Sequence, residues 1–338
     1  MIAADPFGFL YPNAQLVPYE DPYKTVLVLI IGETSRGMNF SLNGYSRQTN
    51  PYLSKEDVIS FVDVTSAGTS TAVSVPCMFS HLPRTECDPV KAQNTENLLD
   101  VLQKAGYQIL WLENDDGCKG VCSRVPNKEM IEIGHPALCD KDSCFDEVML
   151  EHLDDYLKKV NQDTVVVLHL IGSHGPTYHK RYPDNFRIFT PTCDTADLQK
   201  CSRQQIINTY DNTVAYTDYI VAKAIELLKQ RPNFEAGLLY VSDHGESLGE
   251  NALYLHGVPY AFAPKEQTQV PMILWMSEVM KKEDHVDYEC LKEKVRPIAL
   301  SHDNLFHSLL GLMEIKTELY NQQYDFFRDC RTNPYLIK

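Results

Sequence analysis

Asp243 and His244 stand side by side, followed at once by Gly245, in the stretch YVSDHGESLGEN (residues 240–251). A carboxylate oxygen and an imidazole nitrogen at adjacent positions suit a zinc ion. The pair follows an apolar run, residues 236–241, bounded like a buried strand. Open α/β sheets bind ligands at the carboxyl ends of their strands. Gly245 lets the backbone turn sharply there or approach a site closely. Alone, the triplet also fits a solvated turn. A second stretch is built the same way. Residues 25–31, TVLVLII, read as a strand buried in a parallel sheet, and they run into Glu33. By itself Glu33 would equally suit a helix start, where its charge meets the dipole.

Three further stretches bring polar groups to such ends. SAGTSTAVSVPC (residues 66–77) places hydroxyl residues before a helix that starts near Ser70 or Thr71. Its free N–H groups would cradle phosphate, or Thr71 would simply cap it. ENDDGCKGVC (residues 113–122) follows a strand over residues 107–112 and carries Lys119 on a loop that a Cys118–Cys122 bridge would stiffen. Lys119 is then a phosphate contact or a solvated loop lysine. His174 follows the buried run TVVVLHLI (residues 164–171), and His256 lies downstream of His244 on a loop over the same face.

The elements that must position these groups alternate along the chain. Strands are expected over residues 58–65 and 269–276 as well, and helices over 95–105, 145–160, 204–230 and 303–312. Continuous apolar strands alternating with helices imply an α/β fold: a mostly parallel central sheet with helices on both faces.

The chain has 338 residues, 43% of them hydrophobic, as in a soluble globular protein. Lys and Arg number 31 against 46 Asp and Glu, a net charge of −15. That balance argues against nucleic acid as a partner but leaves room for a local basic pocket. No apolar run approaches the roughly 20 residues that span a bilayer. The N-terminus, MIAADPFGFLYPN, lacks the pattern of a signal peptide. The chain is therefore read as cytosolic or as an excised domain. Its ten cysteines favour the second. An even count with close pairs suggests disulfides and an oxidising compartment. The rival, a structural zinc site on Cys118 and Cys122, lacks a second Cys/His pair at finger-like spacing. Joining neighbours would pair Cys77 with Cys87, Cys118 with Cys122, Cys139 with Cys144 and Cys193 with Cys201, leaving Cys290 and Cys330 for each other. Spacing alone does not fix this connectivity.

Glu33, Asp243 and His244 thus offer O, O and N donors, and the Thr71 hydroxyl is a candidate fourth ligand. Zinc favours deprotonation of a bound oxygen acid, so Thr71 would be a nucleophile toward phosphorus. His174, His256 and Lys119 would bind phosphate oxygens or leaving groups, and a second metal near the two histidines stays open. His81, His135, His152, His169, His179, His285, His302 and His307 are read as structural.

On these motifs the chain resembles the catalytic domain of the phosphoethanolamine–lipid A transferases, within the alkaline phosphatase/sulfatase superfamily. The mobile colistin resistance proteins belong to that family. The matching runs are IGETSRGMNFSLNGYSRQTNP, SAGTSTAVSVPCMFS, GCKGVCSRVP, IGSHGPTYHKRYP, SDHGESLGE, LHGVPY and SHDNLFHSLLGL. The resemblance implies zinc on Glu33, Thr71, Asp243 and His244, with Thr71 the nucleophile and Lys119, His174 and His256 around the phosphoethanolamine group. It implies phosphatidylethanolamine as donor and lipid A phosphate as acceptor. The added amine would weaken attraction of cationic polymyxins. Family members carry transmembrane helices before this domain. Residues 1–24 are accordingly expected to be a lead-in from a membrane segment, and residues 25–338 a single periplasmic catalytic domain. Asp115 and Asp116 depart from the family pattern, standing where some relatives have Asn and Ser. A phosphodiesterase or phosphatase would share the zinc and the nucleophile and differ only in using water as acceptor. A sulfatase would need a C-x-P-x-R motif, which the chain lacks. A zinc-stabilised binding module would need no hydroxyl beside the ligands.

Overall fold

The computed structural model describes residues 14–16, 22–283, 286–295 and 298–332. Most of the expected lead-in and His285 lie outside these residues. Within the lead-in, Gln15–Leu16 pairs antiparallel with Ile315–Lys316.

The apolar run after residue 24 forms strand β1 (Lys24–Gly32). Its side chains alternate between two cores. Leu27, Leu29 and Ile31 enter one, and Val26, Val28 and Ile30 the other. A strand apolar at every position is what burial on both faces demands. The sheet also contains β2 (Ile59–Phe61), β3 (Gln108–Glu113), β4 (Asn127–Glu129), β5 (Thr164–His169), β6 (Phe234–Ser242) and β7 (Met272–Met276). Their spatial order is β2-β7-β6-β1-β5-β3-β4. The pairings from β6 through β4 are parallel. β7 runs antiparallel to both β6 and β2. The expected mostly parallel sheet is therefore present, with β7 as its one reversed strand.

Helices cover both faces. On the Leu27 side lie α1 (Thr71–Met78), α2 (Leu98–Lys104) and α5 (Asp303–Leu312); on the Val26 side lie α3 (Val148–Leu157) and α4 (Arg203–Lys229). α2 and α4 begin at reciprocal capping boxes, Asn97 with Asp100 and Ser202 with Gln205. These caps satisfy N–H groups that the first turn leaves free. The expected strand over residues 58–65 is broken: Val64–Thr65 leaves the sheet and pairs in parallel with Leu300–Ser301. β4 is short, polar and exposed, so no apolar pattern announced it.

All ten cysteines are paired as neighbour joining gave them, including Cys290 with Cys330. The Cys118–Cys122 bridge removes the rival zinc-finger reading of that pair.

Two histidines read as structural are locked in the neutral form. His302 Nδ1 accepts from the Ala67 N–H at 3.0 Å, and its Nε2 faces the Ser242 carbonyl at 3.0 Å. His307 Nδ1 accepts from the Asn321 N–H at 3.2 Å, and its Nε2 faces the His81 carbonyl at 3.2 Å. A proton on either Nδ1 would displace an N–H donor, and burial holds each pKa down at about 4. The unfolded value is about 6.5. Between those limits the unfolded chain binds more protons. Stability contributed by these groups is therefore full above about pH 6.5 and lost as pH falls toward 4. Urea unfolding at pH 6 and pH 5 is expected to show a loss of roughly 2–3 kcal/mol from the two groups. Equal stability at the two pH values would contradict their neutral burial.

Candidate functional site

The register of the sheet assembles the site. Gly32 of β1 lies opposite Ser242 of β6, so Glu33 and Asp243 leave the sheet together. The Asp243 N–H donates to the Gly32 carbonyl at 2.9 Å. Asp243 Oδ1 accepts from the Thr34 N–H at 3.2 Å and the His244 N–H at 2.7 Å. Its Oδ2 has no hydrogen-bond partner, although the residue is fully buried. His244 Nδ1 is 2.9 Å from the Gly245 carbonyl, which it reaches as an N–H donor. That bond leaves Nε2 facing Glu33 Oε1 and Asp243 Oδ2, each at 3.4 Å. Gly245 serves close approach: a Cβ there would collide with the Glu266 carbonyl oxygen. Thr34 holds a left-handed conformation (φ 58°), unfavourable for a β-branched residue. It donates its hydroxyl to Glu33 Oε1.

Thr71 is the first residue of α1, not its cap. The cap is Ser70, whose side chain makes no capping bond. The Thr71 hydroxyl instead donates to Glu33 Oε2 at 3.0 Å and stands 3.5 Å from His244 Nε2. Ligand atoms of Glu33, Asp243 and His244 lie within 4.8 Å of one another. Two carboxylates and an imidazole, with one carboxylate oxygen orphaned, fit a divalent cation and are costly without one. Burial and then the Glu33 charge push Asp243 well above the usual carboxylate range. Burial is the largest influence on Glu33 and would raise it, but the charge and hydrogen bond of His244, with His174 and the Thr34 hydroxyl, together hold it well below that range. For His244, burial lowers the pKa, yet Asp243 and Glu33 hold it up at about 10.

His256 and His174 gather beside this group. The His256 ring centre is 4.4 Å from that of His244 and 6.0 Å from that of His174. Glu246 Oε1 lies 3.1 Å from His256 Nδ1, orienting the ring. Lys119 is placed differently. It sits on its bridged loop at φ 49°, with its ammonium bonded to the Asp116 carbonyl and 3.3 Å from the Asp116 carboxylate. Neither His174 nor His256 joins a metal-capable group among the described residues.

One histidine read as structural belongs at the site. His169 ends β5, and ligand atoms of Glu33, Asp115 and His169 lie within 4.8 Å of one another. The register explains it: Glu113 lies opposite His169, and His169 opposite Ile31, so their side chains leave the same sheet edge near Glu33. The available signal was a histidine closing an apolar strand beside a strand that closes on glutamate.

The sulfatase family profile matches residues 25–315. The phosphoethanolamine transferase EptA of Escherichia coli K12 is 52% identical over 309 residues, 91% of this chain and 56% of that protein. Phosphatidylethanolamine transferase Mcr-1 of Escherichia coli is 41% identical over 316 residues, 90% of this chain and 56% of that protein. The chain thus spans little more than half the length of these relatives. Among solved structures, lipooligosaccharide phosphoethanolamine transferase A of Neisseria meningitidis, an integral membrane protein, superposes with a TM-score of 0.92 at 46% identity, over 95% of this chain and 60% of that one. The soluble domain of the same protein is covered to 97%, also at 46% identity. Fold and similarity agree: the chain belongs to the sulfatase family, in its phosphoethanolamine transferase branch.

Proposed function

We propose that this chain is a periplasmic catalytic domain, residues 25–338, that moves phosphoethanolamine from phosphatidylethanolamine to a phosphate of lipid A. Residues 1–24 would lead in from a membrane segment on the periplasmic face of the inner membrane. The observation that carries the reading is the Thr71 hydroxyl, held 3.0 Å from Glu33 Oε2 at the edge of a buried O, O, N ligand set. A hydroxyl so placed is more than metal binding requires. Glu33, Thr71, Asp243 and His244 would hold one tight zinc ion. Bound there, zinc supplies positive charge that favours the deprotonated hydroxyl and the charge building on phosphorus.

Thr71 Oγ1 attacks the phosphorus of the donor. The Thr71–phosphorus bond forms as the bond to diacylglycerol breaks, and diacylglycerol leaves as the alcohol. An oxygen of the lipid A phosphate then attacks the same phosphorus and frees Thr71. His174 and His256 bind phosphate oxygens or the leaving group, and Lys119 contacts phosphate once released from Asp116. The transferred amine masks negative charge and so reduces polymyxin and colistin attraction.

The test is peptide mass spectrometry of the chain before and after incubation with phosphatidylethanolamine. A phosphoethanolamine increment on the Thr71 peptide, absent in Thr71→Ala, is expected. Free phosphoethanolamine without an adduct would favour a hydrolase. Absence of both, in zinc-loaded protein with membranes added, would overturn the reading.

A further inference from the structure

The Glu33 carboxylate is common to two groups of candidate ligands. The second, with Asp115 and His169, has its own supporting frame. Glu113 Oε2 accepts from the Trp111 indole N–H at 2.8 Å and lies 2.9 Å from His169 Nδ1. Glu113 Oε1 accepts from the Asp115 N–H at 2.8 Å. One fixed carboxylate therefore sets both the imidazole and the loop that bears Asp115. With Nδ1–H given to Glu113, the nitrogen left for Glu33 and Asp115 is Nε2. That atom is buried and has no hydrogen-bond partner, in a residue with no exposed surface. A buried imidazole nitrogen without a partner in a fold this well bonded calls for a ligand.

The spacing fits an ion better than a hydrogen bond. No hydrogen bond links Nε2 to either carboxylate, yet the three ligand atoms stay within 4.8 Å. Ligands about 2.1 Å from a shared ion stand roughly 3–4 Å apart. A histidine whose far nitrogen donates to a carboxylate is also the usual arrangement around bound metal, because it fixes the tautomer and raises ligand basicity. Asp115 is half-buried while Glu33 and His169 are fully buried, so the group opens to solvent on the Asp115 side. Three protein ligands with one open side resemble exchangeable sites rather than closed structural ones.

We propose that Glu33, Asp115 and His169 form a second binding site for a divalent transition-metal ion of the zinc class. Glu33 is shared with the group that contains Asp243 and His244, and Glu113 acts as a positioning residue. His169 would bind through Nε2 while its Nδ1–H stays on Glu113. The imidazole nitrogen disfavours magnesium and calcium, which take oxygen ligands. The inference is independent of Thr71 chemistry.

The test uses zinc alone. The chain is stripped with chelator, titrated with Zn2+, desalted and counted by mass spectrometry, and zinc-edge anomalous diffraction locates the ions. About two ions per chain are expected, one of them beside His169. Asp115→Asn keeps the side-chain shape and should lose that ion while keeping the one at Asp243 and His244. Glu113→Gln should weaken it by roughly 10- to 100-fold. Anomalous density only at Asp243 and His244, or an ion beside His169 unchanged in Asp115→Asn, would overturn the proposal. Density at neither place would overturn it together with the zinc reading of Thr71. Should Asp115→Asn fold poorly, the wild-type anomalous map decides by itself.

Discussion

Thr71→Ala is expected to lower turnover by on the order of 10^5- to 10^6-fold, the loss seen when a nucleophile that forms a covalent intermediate is removed. The change deletes one oxygen and one methyl group from a residue with 8% exposure at the start of α1. The helix keeps its extended Ser70 cap, and alanine suits its first turn. The structural cost is confined to Glu33 Oε2, which loses a donor at 3.0 Å. An unpaired buried acceptor costs about 1–3 kcal/mol, within the reach of a fold stapled by five disulfides. Activity and folding therefore separate in this variant. Thr71→Ser restores the hydroxyl but frees its χ1, so partial activity should return. Release of diacylglycerol from a labelled donor is the readout. A loss under about tenfold in Thr71→Ala would remove Thr71 from the nucleophile's place.

The fold was legible where a single physical cause wrote the sequence. The interiors of β1 (residues 26–31) and β6 (residues 236–241) are apolar because both faces are buried, and the two strands are legible to within two residues of their bounds. The helix α5 was placed at its observed limits because its apolar stripe is bounded sharply. Asp243 and His244 could be read because adjacency in sequence is adjacency in space. Glu33 and Thr71 joined them because the ends of parallel strands and the helices that follow share one edge.

What stayed hidden depended on register. Whether His169 packs or ligates is decided by the strand on either side of it, Glu113 on one and Ile31 on the other. A sequence with continuous apolar strands fixes direction weakly, which is also why the reversal of β7 went unseen. The environment of Lys119 depends on a backbone at positive φ inside a five-residue disulfide loop. Residue type alone marked that lysine for phosphate, while its local partner is Asp116.

Glu33→Gln is expected to be the most damaging change that leaves side-chain shape intact. Glu33 belongs to both candidate ligand groups, so one substitution should remove both ions, whereas Asp243→Asn should remove one. Zinc as a Lewis acid is worth several kcal/mol to phosphoryl chemistry, and about 4 kcal/mol corresponds to a 10^3-fold rate. A turnover loss of at least about 10^3-fold follows. The fold has reasons to survive. Glu33 Oε1 and Oε2 both accept hydroxyl hydrogens, from Thr34 and Thr71. A glutamine keeps one acceptor and turns an NH2 toward the other hydroxyl, which can rotate to accept from it. Removing the charge also relieves Asp243, which burial and Glu33 push upward. Zinc at 1,000 times its dissociation constant stabilises the wild type by about 4 kcal/mol, raising Tm by roughly 8–16 °C at about 2–4 °C per kcal/mol. In Glu33→Gln that rise should vanish while the metal-free Tm stays near that of the metal-free wild type. Calorimetry with and without Zn2+, alongside zinc counting, measures both. A zinc content and zinc-dependent Tm like those of the wild type would place the metal elsewhere and detach Glu33 from the chemistry.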